Sequence, residues 1–509
     1  MIIVVNKHNF INGNIMKDFI QYIKKYSTKK FIYTFAEISI EIYKNQIRQH
    51  SKSEIPGTVQ FLLRVKEYGF ITKIVQVMLS AWEIPDMAYV SITNANDYRN
   101  KNVLIGELGI IVNLYRGYEN NKSEIEYLRN ADFSDISKYL FGITYEQFKY
   151  ENMWWTIQSF NRIYHILVGS SNICRNKILD INKITYEIFG MNVDELLVTE
   201  LIILWICSIH PNPLDAPEEL YNKKSGSILT RENIKRIIKY YSINYKEVRN
   251  SKIGKQIFYS KPFVHTQEGD EYIMVSLYLV QMVFADGLYW LIRDYYLNKK
   301  MGQAFINAFG NMFEEYFKEL ALQYLPKDCC HKISEGQKKS ADFCIEFENA
   351  VFLFELKSGL MGIGAKQQTP DIKQINSFIK RNIMEAYEQL KSSENNYQGD
   401  KPIIKIFLLY EYFDNSQMMM TAMPEIFGEN DRYYIMSIQD FEILLCTYKN
   451  DVQKFNKIIE MMLESNYNKS HNKSVLHILN EQGVLTYIHF EGKNNYLKKI
   501  FSMLKTEFE

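Results

Sequence analysis

The chain has 509 residues, 47% of them apolar and 14% aromatic, with a formal net charge of +1. That length exceeds what one hydrophobic core usually serves, so two or three domains are expected, and the apolar content excludes a disordered chain. Near-zero charge excludes a strongly basic coat, so any contact with nucleic acid has to come from local patches.

Six cysteines, Cys174, Cys207, Cys329, Cys330, Cys344 and Cys446, stand without C-x-x-C spacing. They support neither a zinc ribbon nor a secreted disulfide framework, and a reducing cytoplasm fits them best. The run Cys329-Cys330-His331 does not make a metal site, because neighbouring strand residues point to opposite faces. No signal peptide is expected: MIIVV is too short, and Asn6-Lys7-His8 follows at once. The longest apolar runs, 196–209 and 272–285, carry Glu200 and Gln281 and fall short of the roughly 20 residues of a bilayer span, so no membrane partner is expected.

Residues 1–215 read as a mainly helical domain whose residues do not announce its role. Helical spacing covers 16–26, 32–49, 57–82, 154–168 and 193–209, with a turn at Pro56-Gly57, while 103–115 is ambiguous between helix and strand. Trp154, Trp155, Phe160 and Tyr164 recur at helical spacing, which is the pattern of a buried face before it is that of a stacking platform. No phosphate-cradling glycine loop and no repeat is found. His210-Pro211-Asn212-Pro213-Leu214-Asp215-Ala216-Pro217 is the clearest break in the chain.

Residues 216–300 read as a connecting α+β subdomain. Thr230 caps a helix over 231–241 whose buried face is Ile234, Ile237, Ile238 and Tyr241. Lys235, Arg236 and Lys239 lie on its other side, a solvated charged face or, as the alternative, a nucleic-acid-facing one. Short strands are expected at 258–263 and 272–275, then a helix to about 297.

From Gly310 the pattern changes. Phe313, Tyr316, Phe317, Leu320, Ala321 and Tyr324 form a helical stripe with Glu314 at its border, and Glu315, Lys318 and Glu319 on the wet side. Between Ser340 and Lys357 the apolar residues alternate, and Glu348-Asn349 interrupts them where a hairpin would turn. A two-residue loop pairs Phe347 with Ala350 and, by steps, Asp342 with Glu355, so that two carboxylates share a face with Lys357 one pleat further on. Opposed carboxylates repel, and the arrangement makes sense mainly if it holds a divalent metal. Phe352 to Leu356 is nearly all apolar, as in a central strand, where a Glu and a Lys need a reason.

A helix with Glu314, a strand with Asp342, a strand with Glu355-Leu356-Lys357, then an amphipathic helix and an apolar strand resemble the αβββαβ core of the PD-(D/E)XK, or restriction-endonuclease-like, nuclease superfamily. The resemblance covers about residues 301–445, with Ala341 standing where the family's name has proline. It implies an α/β nuclease core, a mixed central sheet flanked by helices, behind the helical N-terminal domain. It further implies Mg²⁺ or Mn²⁺ on Asp342, Glu355 and Glu314, and catalysis by Glu314, Asp342, Glu355 and Lys357. Gln389 matches the glutamine that the next helix often carries near the site. Two other E/D-x-K triplets, Glu491-Gly492-Lys493 and Asp371-Ile372-Lys373, have no partner strand.

Beyond the hairpin, 358–370 reads as a substrate-facing loop and 371–392 as a helix burying Ile375, Phe378, Ile379, Ile383, Ala386, Tyr387 and Leu390. Lys373, Lys380 and Arg381 are exposed candidates for phosphate contacts. Residues 403–410 read as an unbroken apolar strand covered on both faces. Ser437-Ile438-Gln439-Asp440 starts a helix, and 446–509 form a helical appendage. The expectation is a cytoplasmic metal-dependent nuclease, with DNA as the substrate favoured by family habit and a role in antiviral or restriction defence. Its alternative is an inactive nuclease fold that binds nucleic acid or protein.

Overall fold

The computed structural model describes residues 14–50, 79, 82–127, 153–169, 179–216, 221, 227–266, 269–333, 340–360, 377–410, 423–427, 432–464, 474–485 and 498–500, with 502, 503 and 506. Most of the expected helix at 57–82, the side chains of Trp154 and Trp155, residues 361–376 with Lys373 and Ile375, and Glu491-Gly492-Lys493 lie outside the described residues.

Helices dominate the first three hundred residues: α1 (Asn14–Ile23), α2 (Thr28–His50), α3 (Glu83–Asn94), α4 (Ile105–Tyr127), α5 (Met153–Tyr164), α6 (Ile181–Phe189), α7 (Val193–Cys207), α8 (Arg231–Tyr240) and α9 (Leu277–Asn298). The ambiguous stretch 103–115 is helical. Its buried residues Leu108, Ile111, Val112 and Tyr115 recur every three or four positions, and Tyr115 meets Phe19 of α1 edge-on at 5.5 Å. Asn192 and Glu195 close a reciprocal capping box at the start of α7, whose apolar residues run all round because it is enclosed by other helices. Thr230 caps α8 by accepting from the Asn233 N–H, and Ile234, Ile237 and Ile238 are buried. Two residues of the basic face of α8 are paired within the chain, Lys235 with Asp270 and Arg236 with Glu232 and the Phe189 carbonyl, while Lys239 is exposed.

A small mixed sheet follows, with β1 (Ser242–Asn244) parallel to β2 (Phe263–His265) and β2 antiparallel to β3 (Tyr272–Met274). The strand expected at 258–263 begins only at Phe263. Gly254, at φ +57°, opens a 3₁₀ turn over Gly254–Tyr259 in its place. Residues 211–216 are packed: Pro211, Asn212, Pro213 and Leu214 are buried, and the Pro211 carbonyl accepts from the Met274 N–H at 2.9 Å.

The second sheet has five strands in spatial order β4 (Cys330–Lys332), β5 (Phe343–Glu346), β6 (Val351–Lys357), β7 (Ile403–Leu409) and β8 (Tyr433–Ser437). The first three are antiparallel, while β7 and β8 run parallel to β6. Helix α10 (Gly302–Tyr324) precedes the sheet, and α11 (Glu385–Asn396), entered through a π-helical turn at Lys380–Met384, makes the crossover from β6 to β7. The expected helix at 371–392 thus contains a wide turn and continues to Asn396; Phe378, Ile383, Ala386 and Leu390 are buried as its periodicity requires. Ser437 and Asp440 cap α12 (Ile438–Asn450) with a second reciprocal box; α13 (Val452–Leu463) and α14 (Val475–Glu481) follow.

Each face of the sheet has its own core. On one, Phe343, Ile345, Phe347, Phe352 and Phe354 join a cluster continuous with the helical half; on the other, Val351 and Leu353 pack with Phe378, Ile383, Ala386, Leu390 and Phe407. This is the division that strand alternation predicts. The apolar strand at 403–410 is interrupted by Lys405, which is buried, bound to both oxygens of Glu394 at 2.7 and 2.8 Å and set over the Tyr433 ring. The appendage packs inward as well: Phe455 meets Phe347 at 4.9 Å, and the Tyr434 hydroxyl donates to the Met462 carbonyl.

The helical half is joined to this sheet by buried charge. Arg162 of α5 forms a two-pronged pair with Glu442 of α12, at 2.6 and 2.7 Å, and the Tyr316 hydroxyl of α10 donates to the same carboxylate at 2.6 Å. Glu319, expected on the wet side of α10, instead pairs with the buried His165 at 2.7 Å, because the helical half covers that side of the helix.

Candidate functional site

The site begins with the turn at Glu348-Asn349, which sets the register of β5 against β6. Phe343 lies opposite Phe354 and Glu346 opposite Val351, so the same register sets Asp342 opposite Glu355. Period two then places Asp342, Glu355 and Lys357 on the face that carries Val351 and Leu353, beneath α11. β6 is the middle strand of five, which explains its apolar run and why Glu355 is only 2% exposed.

Lys357 Nζ donates to Glu355 Oε1 at 2.8 Å, and the Leu356 N–H donates to Asp342 Oδ2 at 2.7 Å. The second oxygen, Glu355 Oε2, is buried without a hydrogen-bond partner. Burial, reinforced by the Asp342 charge, pushes the Glu355 carboxyl up to about 7, against the pull of Lys357 and of the nearby Gln389 amide. Asp342 is raised too, again chiefly by burial, with the Leu356 N–H and Lys357 opposing.

Helix α11 holds the strand that presents Asp342. Gln389 Nε2 donates to the Ser340 carbonyl at 3.2 Å, and one turn later Ser393 Oγ accepts the Ala341 N–H at 2.8 Å. Gln389 therefore stands at the site, as expected, and also secures the chain beside Asp342. At the far end of β6, Gly359 lets the π turn approach: a Cβ there would lie 3.4 Å from the Asn382 amide oxygen. Lys380 and Arg381 are exposed on that turn.

Glu314 stands apart. Its helix covers the opposite face, with Phe317 against Phe343 and Phe354, and its carboxylate is bound by Lys332 of the edge strand β4. It still acts electrostatically on Asp342 around the end of the sheet. Among the described residues no three His, Cys, Asp or Glu side chains gather closely enough to hold a metal ion; of the expected trio, Asp342 and Glu355 are the two that the hairpin brings together. That pair fits Mg²⁺, which takes one or two protein carboxylates and fills its remaining positions with water and substrate oxygens. The unpartnered Glu355 Oε2 supplies the open acceptor such an ion needs. Cys329, Cys330 and His331 hold the edge of the sheet and join no such group.

Lys332 and Ser393 were not legible as site residues. Lys332 lies in a three-residue strand too short for periodicity, and Ser393 carries no sequence signal beyond its i+4 spacing from Gln389. Among the described residues no helix is long and apolar enough to cross a membrane. Searches of protein-family models, curated proteins and solved structures return no match to this chain.

Proposed function

We propose that the chain is a divalent-metal-dependent nuclease that hydrolyses phosphodiester bonds, with DNA as substrate. The observation that carries this reading is the opposition of Asp342 and Glu355 on a buried strand pair, with Glu355 Oε2 left without a partner and Lys357 alongside. A buried carboxylate pair of this kind is costly unless something of opposite charge is shared between them. The succession of helix, three antiparallel strands, crossover helix and parallel strand supports the same reading, being the order of the PD-(D/E)XK core.

Asp342 and Glu355 would hold Mg²⁺ or Mn²⁺. The ion supplies Lewis-acid polarisation of the scissile phosphate and lowers the pKa of an attacking water. Lys357, one-fifth exposed, is placed to bind a phosphate oxygen and offset charge that develops there. Gln389 would steady the chain before Asp342, and the exposed Lys380 and Arg381 would contact the phosphate backbone.

A second reading, a catalytically inactive nuclease fold that binds nucleic acid or protein, is favoured by the engagement of Glu314 with Lys332. In either case we place the protein in the bacterial cytoplasm as an effector of antiviral defence, with the helical half receiving a trigger or partner; this step rests on analogy of fold. The test is cleavage of plasmid, linear and single-stranded DNA and of RNA with Mg²⁺, Mn²⁺ or EDTA. Metal-dependent cleavage abolished in Asp342→Ala supports the nuclease; substrate binding without cleavage under every condition replaces it with the second reading.

A further inference from the structure

In the helical half, α2, α5, α7 and α9 line a cavity of about 30 Å³ whose walls include Tyr43, Thr156, Phe160, Glu200, Trp205 and Phe284. Its walls are mostly apolar and aromatic. Into them is set one carboxylate: Glu200 is 2% exposed, and its Oε2 has no hydrogen-bond partner. Thr156 Oγ1, on the facing helix, is likewise buried and unpartnered.

The pattern of what is missing identifies what would fit. A carboxylate set into an apolar wall costs several kcal/mol if it is charged and alone, and burial raises the Glu200 pKa. The unpartnered Glu200 Oε2 is an acceptor open to positive charge or an N–H donor, the Thr156 hydroxyl oxygen can accept beside it, and aromatic rings flank them. One carboxylate and a single water-sized space do not suit a divalent ion, which brings its own hydration shell. They suit a weakly hydrated ion about the size of water.

We propose that this cavity binds a monovalent cation of potassium or ammonium size, held by Glu200 and Thr156 beside the Tyr43, Phe160, Trp205 and Phe284 rings. The site is independent of the nuclease reading. Its occupation ties together four helices, one of which, α5, continues to the Arg162–Glu442 pair.

The test is the thermal unfolding of the full chain in EDTA, which keeps divalent ions from Asp342 and Glu355. Chloride salts of K⁺, NH₄⁺ and tetramethylammonium are compared at one ionic strength. The expected result is a saturable rise in Tm on the order of 1–3 °C in K⁺ and NH₄⁺, none in the oversized tetramethylammonium, and loss of the rise in Glu200→Gln. Equal Tm in all three salts, or an undiminished rise in Glu200→Gln, overturns the proposal and leaves Glu200 a neutral buried acid. If Glu200→Gln does not fold, Thr156→Val replaces it. The K⁺ concentration at half-effect should then move up at least about threefold, and an unchanged midpoint overturns the proposal equally.

Discussion

The backbone N–H of Ala341 donates to Ser393 Oγ at 2.8 Å in a buried setting. Proline at this position would have no N–H to give, and Ser393 Oγ would be left without its donor. Ala341→Pro should therefore lower stability by about 1–3 kcal/mol. In a Ser393→Ala background the further loss should be smaller, because the bond is already gone. Urea unfolding of the four proteins of this cycle measures it; equal losses in both backgrounds would show that the bond does not matter.

Lys357→Met separates chemistry from folding. It keeps the length and apolar packing of a side chain whose amino group touches Glu355 Oε1. If Lys357 binds the reacting phosphate, Tm should stay near wild type while cleavage falls at least about a hundredfold. A structural ion pair predicts the reverse, a loss of about 3–5 kcal/mol with normal cleavage by the folded fraction.

The raised Glu355 pKa makes the metal-free protein less stable at higher pH. Unfolded, the carboxyl titrates near its usual 4.5; folded, it keeps its proton up to about 7. Between those values the native state binds the extra proton, so stability is full below about 4.5 and declines as pH rises through 7. The span corresponds to about 3 kcal/mol at most, and Asp342 acts in the same direction. Compared at pH 5 and pH 8 in EDTA, wild type should lose more stability than Glu355→Gln. Parallel losses would mean that Glu355 ionises normally.

Metal should reverse that decline. Mg²⁺ or Mn²⁺ at tenfold its Kd would stabilise the protein by about 1.4 kcal/mol. The gain should disappear in Asp342→Ala and survive Glu314→Gln, since Glu314 is bound to Lys332. A melting curve unmoved by either ion would remove the metal-site proposal.

Arg162→Met should cost about 3–5 kcal/mol, because it strands Glu442 and its Tyr316 donor in the core. Replacing the whole network with Arg162→Met, Glu442→Leu and Tyr316→Phe should recover most of that loss. Calorimetry decides: a triple variant no more stable than the single one would show that the pair is favourable in its own right.

Much of the hairpin was legible because two local rules agree there. Alternation assigned the faces and the Glu348-Asn349 turn set the register, so Asp342, Glu355 and Lys357 could be brought together on paper. The caps at Thr230 and Ser437 were legible for the same local reason. What escaped depends on distant partners. Lys405 looks wrong in a buried strand until Glu394 is beside it, and Glu319 looks solvated until His165 covers it. β1 and β4, at three residues each, are too short to show any period and exist through their pairing with β2 and β5. Glu314 was placed correctly at the border of its stripe, but its choice of Lys332 over the carboxylate pair is a matter of geometry that helical spacing does not encode.

Arg162 and Glu442 are 280 positions apart in the chain. At a synthesis rate of roughly 5–20 residues per second, the arginine is added to the chain about 14–56 s before the glutamate. During that interval the α5 end of the helical half carries a guanidinium that cannot yet be buried, and α10, with Glu314 and Tyr316, has no α12 to close against. The two halves therefore complete each other only after translation has passed residue 442. A chain truncated before that point would have the strands of the carboxylate hairpin without the buried pair that joins the sheet to the helical half.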